Sequence, residues 1–121
     1  MNRILIAEDE PRLAAFIAKG LKQNGYETTV VQDGEQALRL LEQPSFDLLL
    51  LDLGLPIKDG WFVLQKLRQQ GDAIPIIIVT ALSDNGNQDR AKALGANDFL
   101  MKPFKFQILL DRVKLYLERL K

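Results

Sequence analysis

Three carboxylates, a hydroxyl and an ammonium stand where four apolar runs stop. Ile4-Leu5-Ile6-Ala7 gives way to Glu8-Asp9, Leu48-Leu49-Leu50-Leu51 to Asp52, Ile76-Ile77-Ile78-Val79 to Thr80, and Phe99-Leu100-Met101 to Lys102-Pro103. If these runs are parallel strands of one sheet, their C-terminal ends share one edge, the edge at which open α/β sheets bind ligands. Carboxylates a few ångströms apart repel and coexist only with a cation or with protons. A hard divalent ion answers that need, and Mg²⁺ tolerates one or two carboxylates together with water and phosphate oxygens. Lys102 adds a second positive charge at the same edge. An anion bound there would meet metal, ammonium and hydroxyl at once, which stabilises phosphoryl oxygens during in-line transfer. A carboxylate nucleophile in such a site yields an acyl phosphate.

Taken singly, each residue has a plainer explanation. Glu8, Asp9 and Glu10 precede a helix with Pro11 in its first turn, where acids interact well with the helix dipole. Asp52 can simply begin a loop, Thr80 is an ordinary strand residue, and a lone lysine is usually a solvated cation. The chemistry rests on their coming together, so the elements that position them matter.

Strands and helices alternate along the chain. Residues 3–7 read as a buried strand. Pro11 opens a helix with Leu13, Phe16, Ile17 and Leu21 on one face, stopped by Asn24-Gly25. Residues 27–31 form a second strand. Asp33 and Gln36 look like a capping pair for a helix with Ala37, Leu38 and Leu41 inside, broken at Pro44-Ser45. Residues 46–51 are the third strand. Residues 56–60 read as a loop, and the next helix carries Val63, Leu64 and Leu67 inside before Gly71, followed by a strand over 74–79. A polar, mobile stretch over 83–88 leads into a short helix ending at Leu94-Gly95. Residues 97–101 are the fifth strand, and the last helix starts near Lys105 with Leu109, Val113, Tyr116 and Leu120 inward. Strands one, three and four are apolar on both faces, as parallel strands covered by helices are. Five βα units with right-handed crossovers make a doubly wound α/β domain of the flavodoxin-like kind, (βα)₅, with strand order 2-1-3-4-5. Its topological switch brings Glu8, Asp9 and Asp52 together.

At 121 residues the chain suits one domain, 1–121, with no output domain inside it. Lys+Arg and Asp+Glu both number 16, which argues against direct nucleic-acid contact, because duplex affinity rests on basic contacts to phosphate. With no cysteine there is no disulfide or thiolate site, and with no histidine the commonest general base and zinc ligand are missing. No apolar run approaches the roughly 20 residues of a membrane span, so the expectation is a cytoplasmic protein without membrane contact.

The motifs are similar to those of the receiver domain of bacterial two-component response regulators. They are residues 4–10 (ILIAEDE), 51–56 (LDLGLP) with Asp59-Gly60, Val79-Thr80-Ala81, and residues 95–104 (GANDFLMKPF). Four motifs in the family's order cover essentially the whole chain. The resemblance implies a role for each residue. Asp52 would be the phosphoacceptor. Asp9, Asp52 and the backbone carbonyl of Gly54 would bind Mg²⁺, with Mn²⁺ able to substitute, and Glu8 would assist through water. Lys102 would contact the phosphoryl group and, before it arrives, Asp52. The peptide before Pro103 would be cis and help to aim Lys102. Thr80 would move to bond a phosphoryl oxygen, and Phe99 would turn into the space it leaves. The donor would be the phospho-histidine of a sensor histidine kinase or phosphotransfer protein. Loss of phosphate would be slow self-dephosphorylation rather than enzymatic turnover. Leu82 departs from the arginine that many relatives carry there.

The last helix carries an outer stripe, Ile108, Arg112, Leu115 and Arg119, at spacings of 4, 3 and 4. Asp98 on the adjacent strand can pair with such arginines across a two-fold axis. These residues resemble the dimer surface of OmpR/PhoB-type transcription factors, which implies a phosphorylation-dependent homodimer that controls transcription. Asn97 and Ile108-Leu109 depart from that subgroup's pattern. The alternatives are a stand-alone single-domain regulator acting by protein–protein interaction and a Mg²⁺-dependent aspartyl phosphohydrolase. The latter lacks its usual second acid, since Gly54 stands two residues after Asp52. A nucleotide or flavin binder is disfavoured, because Glu8-Asp9-Glu10-Pro11 offers no glycine-rich phosphate cradle.

Overall fold

Alternation along the strands decides which helix lies on which face. In β1 (Arg3–Ala7), β3 (Leu48–Leu51) and β4 (Ile76–Thr80), successive side chains point to opposite sides, and both sides are apolar. Ile4, Ile6, Leu48, Leu50, Ile77 and Val79 face α1 (Pro11–Gln23) and α5 (Phe106–Glu118). Leu5, Ala7, Leu49, Leu51, Ile76 and Ile78 face α2 (Gly34–Leu41), α3 (Gly60–Gln69) and α4 (Asn85–Ala93). With β2 (Glu27–Val31) and β5 (Asp98–Met101) at the edges, the computed structural model is a parallel sheet of order β2-β1-β3-β4-β5, as the sequence predicts. It describes residues 2–81 and 85–118. Leu82, Arg119 and Leu120 lie outside the described residues.

Local chemistry sets the helix starts. Asp33 accepts a bond from the Gln36 N–H at 2.7 Å, and Asp59 accepts one from the Phe62 N–H at 2.9 Å. Pro11 occupies the first turn of α1.

Several boundaries differ from the sequence reading. β4 begins at Ile76, not residue 74, because Pro75 has no N–H to give the ladder. β3 begins at Leu48; Phe46 instead packs beneath the Arg3 guanidinium, 4.8 Å from the ring centre. β5 begins at Asp98, one residue late. The part of the polar stretch over 85–88 is helical, the first turn of α4. Tertiary contacts override its weak propensity: Ala91 is buried, and the Arg90 guanidinium lies 4.2 Å from the Trp61 ring centre. Phe16 is 56% exposed and stands edge-on to Phe106, while Ala14 and Ala18 take the inner positions of α1. On α5 the inward face includes Leu110 beside Leu109 and Val113.

Candidate functional site

Backbone hydrogen bonds carry the ladder one residue past the strands and so align the functional residues. The Glu8 N–H donates to Val31 O at 3.0 Å, the Asp52 N–H to Ala7 O at 3.1 Å, and the Lys102 N–H to Thr80 O at 2.8 Å. Each residue predicted from the end of an apolar run thus reaches the same sheet edge as its neighbours.

The side chains converge. Ligand oxygens of Glu8, Asp9 and Asp52 all lie within 4.8 Å of one another. Glu8 and Asp52 are buried and Asp9 is exposed. Lys102 Nζ stands 2.7 Å from Glu8 Oε1, 3.1 Å from Asp52 Oδ2 and 3.1 Å from Glu10 Oε2. The lysine expected to reach Asp52 does so. The Glu10 contact was not anticipated, because 92 residues separate the pair. The acids do not simply serve the dipole of α1: Glu8 Oε2 accepts a bond from the Glu10 N–H at 3.0 Å, but the Glu10 side chain makes no capping bond.

Burial and charge set the protonation tendencies. Burial pushes the Glu8 carboxyl above its ordinary value; bonds from Lys102 and the Glu10 N–H oppose this, and the charge on Asp52 reinforces it. Burial by itself would lower the Lys102 pKa. The hydrogen bonds to Glu8, Asp52 and Glu10 outweigh it, and the ammonium is held above its ordinary value.

The cluster has the donor chemistry of a hard divalent cation. Its carboxylate oxygens are close, and Lys102 bonds Glu8 and Asp52 while Asp9 has no ion-pair partner among the described residues. The backbone around Asp52 closes in, and at Gly60 it does so only because there is no side chain. The Gly54 N–H donates to Asp52 Oδ1 at 3.1 Å. A Cβ on Gly60 would fall 2.2 Å from the Asp52 carbonyl oxygen, so the start of α3 packs against the very residue it supports. The sequence reading has Gly60 at the end of a loop; it is instead the first residue of α3, and nothing local in the sequence marks this contact.

The remaining predicted residues divide into two groups. Thr80 is buried at the end of β4, and the Lys102–Pro103 peptide is cis. Phe99 is half-buried and packs against the α2–α3–α4 core. On the outer side, Asp98 pairs with Arg112 of its own chain at 2.7 Å, because α5 packs across the β5 edge; the sequence reading had this pairing across a two-fold axis. The Tyr116 hydroxyl donates to Asn97 O at 2.8 Å beside that pair. Ile108, Leu115 and Met101 are exposed there.

Comparison with known proteins agrees with this geometry. The response regulator receiver domain family matches residues 4–114. The transcriptional activator protein IrlR of Burkholderia pseudomallei is 41% identical over 117 residues, covering 97% of this chain and 51% of IrlR. The transcriptional regulatory protein PcoR of Escherichia coli is 36% identical over 119 residues, covering 98% of this chain and 53% of PcoR. The chain therefore spans about half the length of the curated relatives it matches, which are of the OmpR/PhoB type. The receiver domain of the Francisella response regulator 1452 superposes with a TM-score of 0.95 at 35% identity, covering 100% of both chains. No helix of the described residues is long and apolar enough to cross a membrane. On the sheet order, the clustered acids and these matches together, the chain belongs to the receiver domain family of bacterial two-component response regulators, regulatory phosphoacceptor domains of phosphorelay signalling.

Proposed function

We propose that Asp52 accepts a phosphoryl group from the phospho-histidine of a sensor histidine kinase or phosphotransfer protein, in the cytoplasm, and that the change controls transcription. The observation that carries the reading is the Lys102 ammonium, bonded to Asp52 at 3.1 Å beside clustered carboxylates. A carboxylate bonded to an ammonium is ionised, so one Asp52 oxygen attacks phosphorus without a base. The P–N bond breaks, and its electron pair leaves with the imidazole. Lys102 stays beside the new phosphoryl oxygens and offsets their charge. The Thr80 hydroxyl turns to donate to one of them, and Phe99 moves into the vacated space. Asp9, Asp52 and the Gly54 carbonyl, with Glu8 through water, would hold Mg²⁺, which when bound supplies Lewis-acid neutralisation of phosphoryl charge. Phosphate leaves by slow hydrolysis, without turnover.

The signal leaves through α4, β5 and α5. Asp98, Ile108, Arg112 and Leu115 lie on the face on which a phosphorylation-dependent homodimer would assemble; Arg119, which the sequence stripe adds to it, is outside the described residues. It combines exposed apolar side chains with an ion pair that can exchange partners between chains.

The test is incubation with Mg²⁺ and acetyl phosphate, read by intact mass. One phosphate should add to the wild type and none to Asp52→Asn. An adduct that persists in Asp52→Asn assigns the chemistry elsewhere, and release of many equivalents of phosphate makes the protein a hydrolase.

A further inference from the structure

Glu10 has no role in phosphoacceptance as described above, yet its carboxylate occupies the site. An ammonium has three N–H donors, and Lys102 presents all three to carboxylates: Glu8, Asp52 and Glu10. The partners differ in freedom. The side chains of Glu8 and Asp52 are 3% and 9% exposed, whereas that of Glu10 is 64% exposed. A phosphoryl oxygen can bond the ammonium only by displacing one of them. Glu8 is fixed by burial and by the Glu10 N–H, and Asp52 is the acceptor itself. Glu10 alone can swing into solvent. It also shares with Lys102 the lining of a cleft of about 430 Å³, walled by Leu13, Phe16, Pro103 and Phe104. An incoming donor on that side meets this carboxylate first.

We infer that Glu10 is a specificity-determining residue, an anionic gate that must release Lys102 before a phosphoryl group enters. The gate discriminates by charge. A small dianionic donor is repelled by Glu10, and one carrying less net negative charge is repelled less. A protein donor that brings its own cation to the cleft would draw the Glu10 carboxylate aside. An exposed charge a few ångströms away changes a rate by a factor of about 3 to 10, and salt screens the effect.

The inference rests on Asp52 as phosphoacceptor, and the experiment separates the two. Wild type and Glu10→Gln, which keeps the shape and removes the charge, are phosphorylated with acetyl phosphate or phosphoramidate in Mg²⁺. Acetyl phosphate is a dianion, and phosphoramidate is a zwitterion with one less net negative charge. In each case an Asp52 oxygen attacks phosphorus; acetate leaves with the P–O electron pair, or ammonia leaves with the P–N pair. The ratio of the acetyl phosphate rate to the phosphoramidate rate should rise about three- to tenfold in Glu10→Gln at low salt. High salt should move the wild-type ratio towards that of the variant. Mg²⁺ affinity, read by calorimetry at high salt where long-range charge effects are screened, should change less than about threefold, since Glu10 is outside the clustered carboxylates. An unchanged rate ratio overturns the gate and leaves phosphoacceptance standing. A tenfold loss of Mg²⁺ affinity at high salt also overturns it, because Glu10 would then be serving the cation directly. A wild type that takes phosphate from neither donor removes the phosphoacceptor reading and the gate with it.

Discussion

Replacing Gly60 by alanine sets helix propensity against the geometry of the site. On propensity alone, Gly60→Ala should stabilise α3 by up to about 1 kcal/mol. The structure predicts the opposite sign. A Cβ there would stand 2.2 Å from the Asp52 carbonyl oxygen, 2.6 Å from Leu53 Cα and 2.9 Å from the Asp52 carbonyl carbon. All three are backbone atoms, so no rotamer change relieves the clash. Ordinary non-bonded contact lies near ~3.5 Å, so the first turn of α3 and the Asp52–Leu53 segment must part by about 1 Å. Overpacking of this kind costs about 1–3 kcal/mol. The Gly60 N–H bond to Leu53 O, 3.0 Å long, is stretched or lost, at about 1 kcal/mol more. Against the propensity gain, a net loss of about 2 kcal/mol remains. With a urea m-value of about 1–3 kcal/mol/M, the unfolding midpoint should fall by about 1 M. Gly54→Ala is the control: the nearest atom to its Cβ would be Asp52 Oδ1 at 3.9 Å, an ordinary contact. A Gly60→Ala midpoint at or above that of the wild type refutes the reasoning.

Two further outcomes follow from named contacts. Burial, then the bond from its hydroxyl to Glu118, pushes the Tyr26 phenol from 10.0 up to about 12. A raised acid favours the folded state fully below its unfolded pKa, and that advantage is lost as pH climbs through the folded value. The stability difference between wild type and Tyr26→Phe should therefore fall between about pH 10 and pH 12 in urea titrations, and a gap constant across that window disproves the coupling. Replacing Arg112 and Arg119 together by alanine should weaken any phosphate-induced dimer in sedimentation velocity, and an unchanged profile removes the α5 face from the interface.

The sequence showed where the sheet edge would be, because Glu8, Asp52, Thr80 and Lys102 each interrupt an apolar run too short for anything but a buried strand. It showed the capping at Asp33, because an acid three residues before a helical amide has a local meaning. What it could not show depends on distance in space. Glu10 and Lys102 are 92 residues apart, and nothing local marks them as partners. The Arg68 guanidinium donates to Gly95 O at 3.0 Å, Asp72 O at 2.7 Å and Asn97 Oδ1 at 3.1 Å. That joins the end of α3 to the turn before β5, yet Arg68 reads as an ordinary surface cation. Phe16 fell on the border of its helical face, where periodicity alone does not separate a core aromatic from one that lines an exposed cleft.

How the helices are anchored explains why a charge placed on Asp52 would act on one side of the molecule. α1 buries Ala14, Ile17, Ala18 and Leu21 in the core, and α5 buries Leu109, Leu110 and Val113. Moving α1 would expose Ile17 and Leu21, and moving α5 would expose Leu109, Leu110 and Val113, each worth about 1.5–3 kcal/mol when fully buried. Among its described residues α4 buries only Ala91. Polar ties join it as well, among them Arg90 against Trp61, and Arg68 on the carbonyl of Gly95 just beyond it. Such ties can be remade with water or shifted partners at little cost, so α4 sits at the low-stability end of the fold. The proposed phosphoryl site touches that end directly, since Thr80 closes β4 ahead of α4 and its carbonyl holds the Lys102 N–H. Nearly two added negative charges beside Lys102 would therefore rearrange the β4–α4–β5 side before the well-packed α1 side responds.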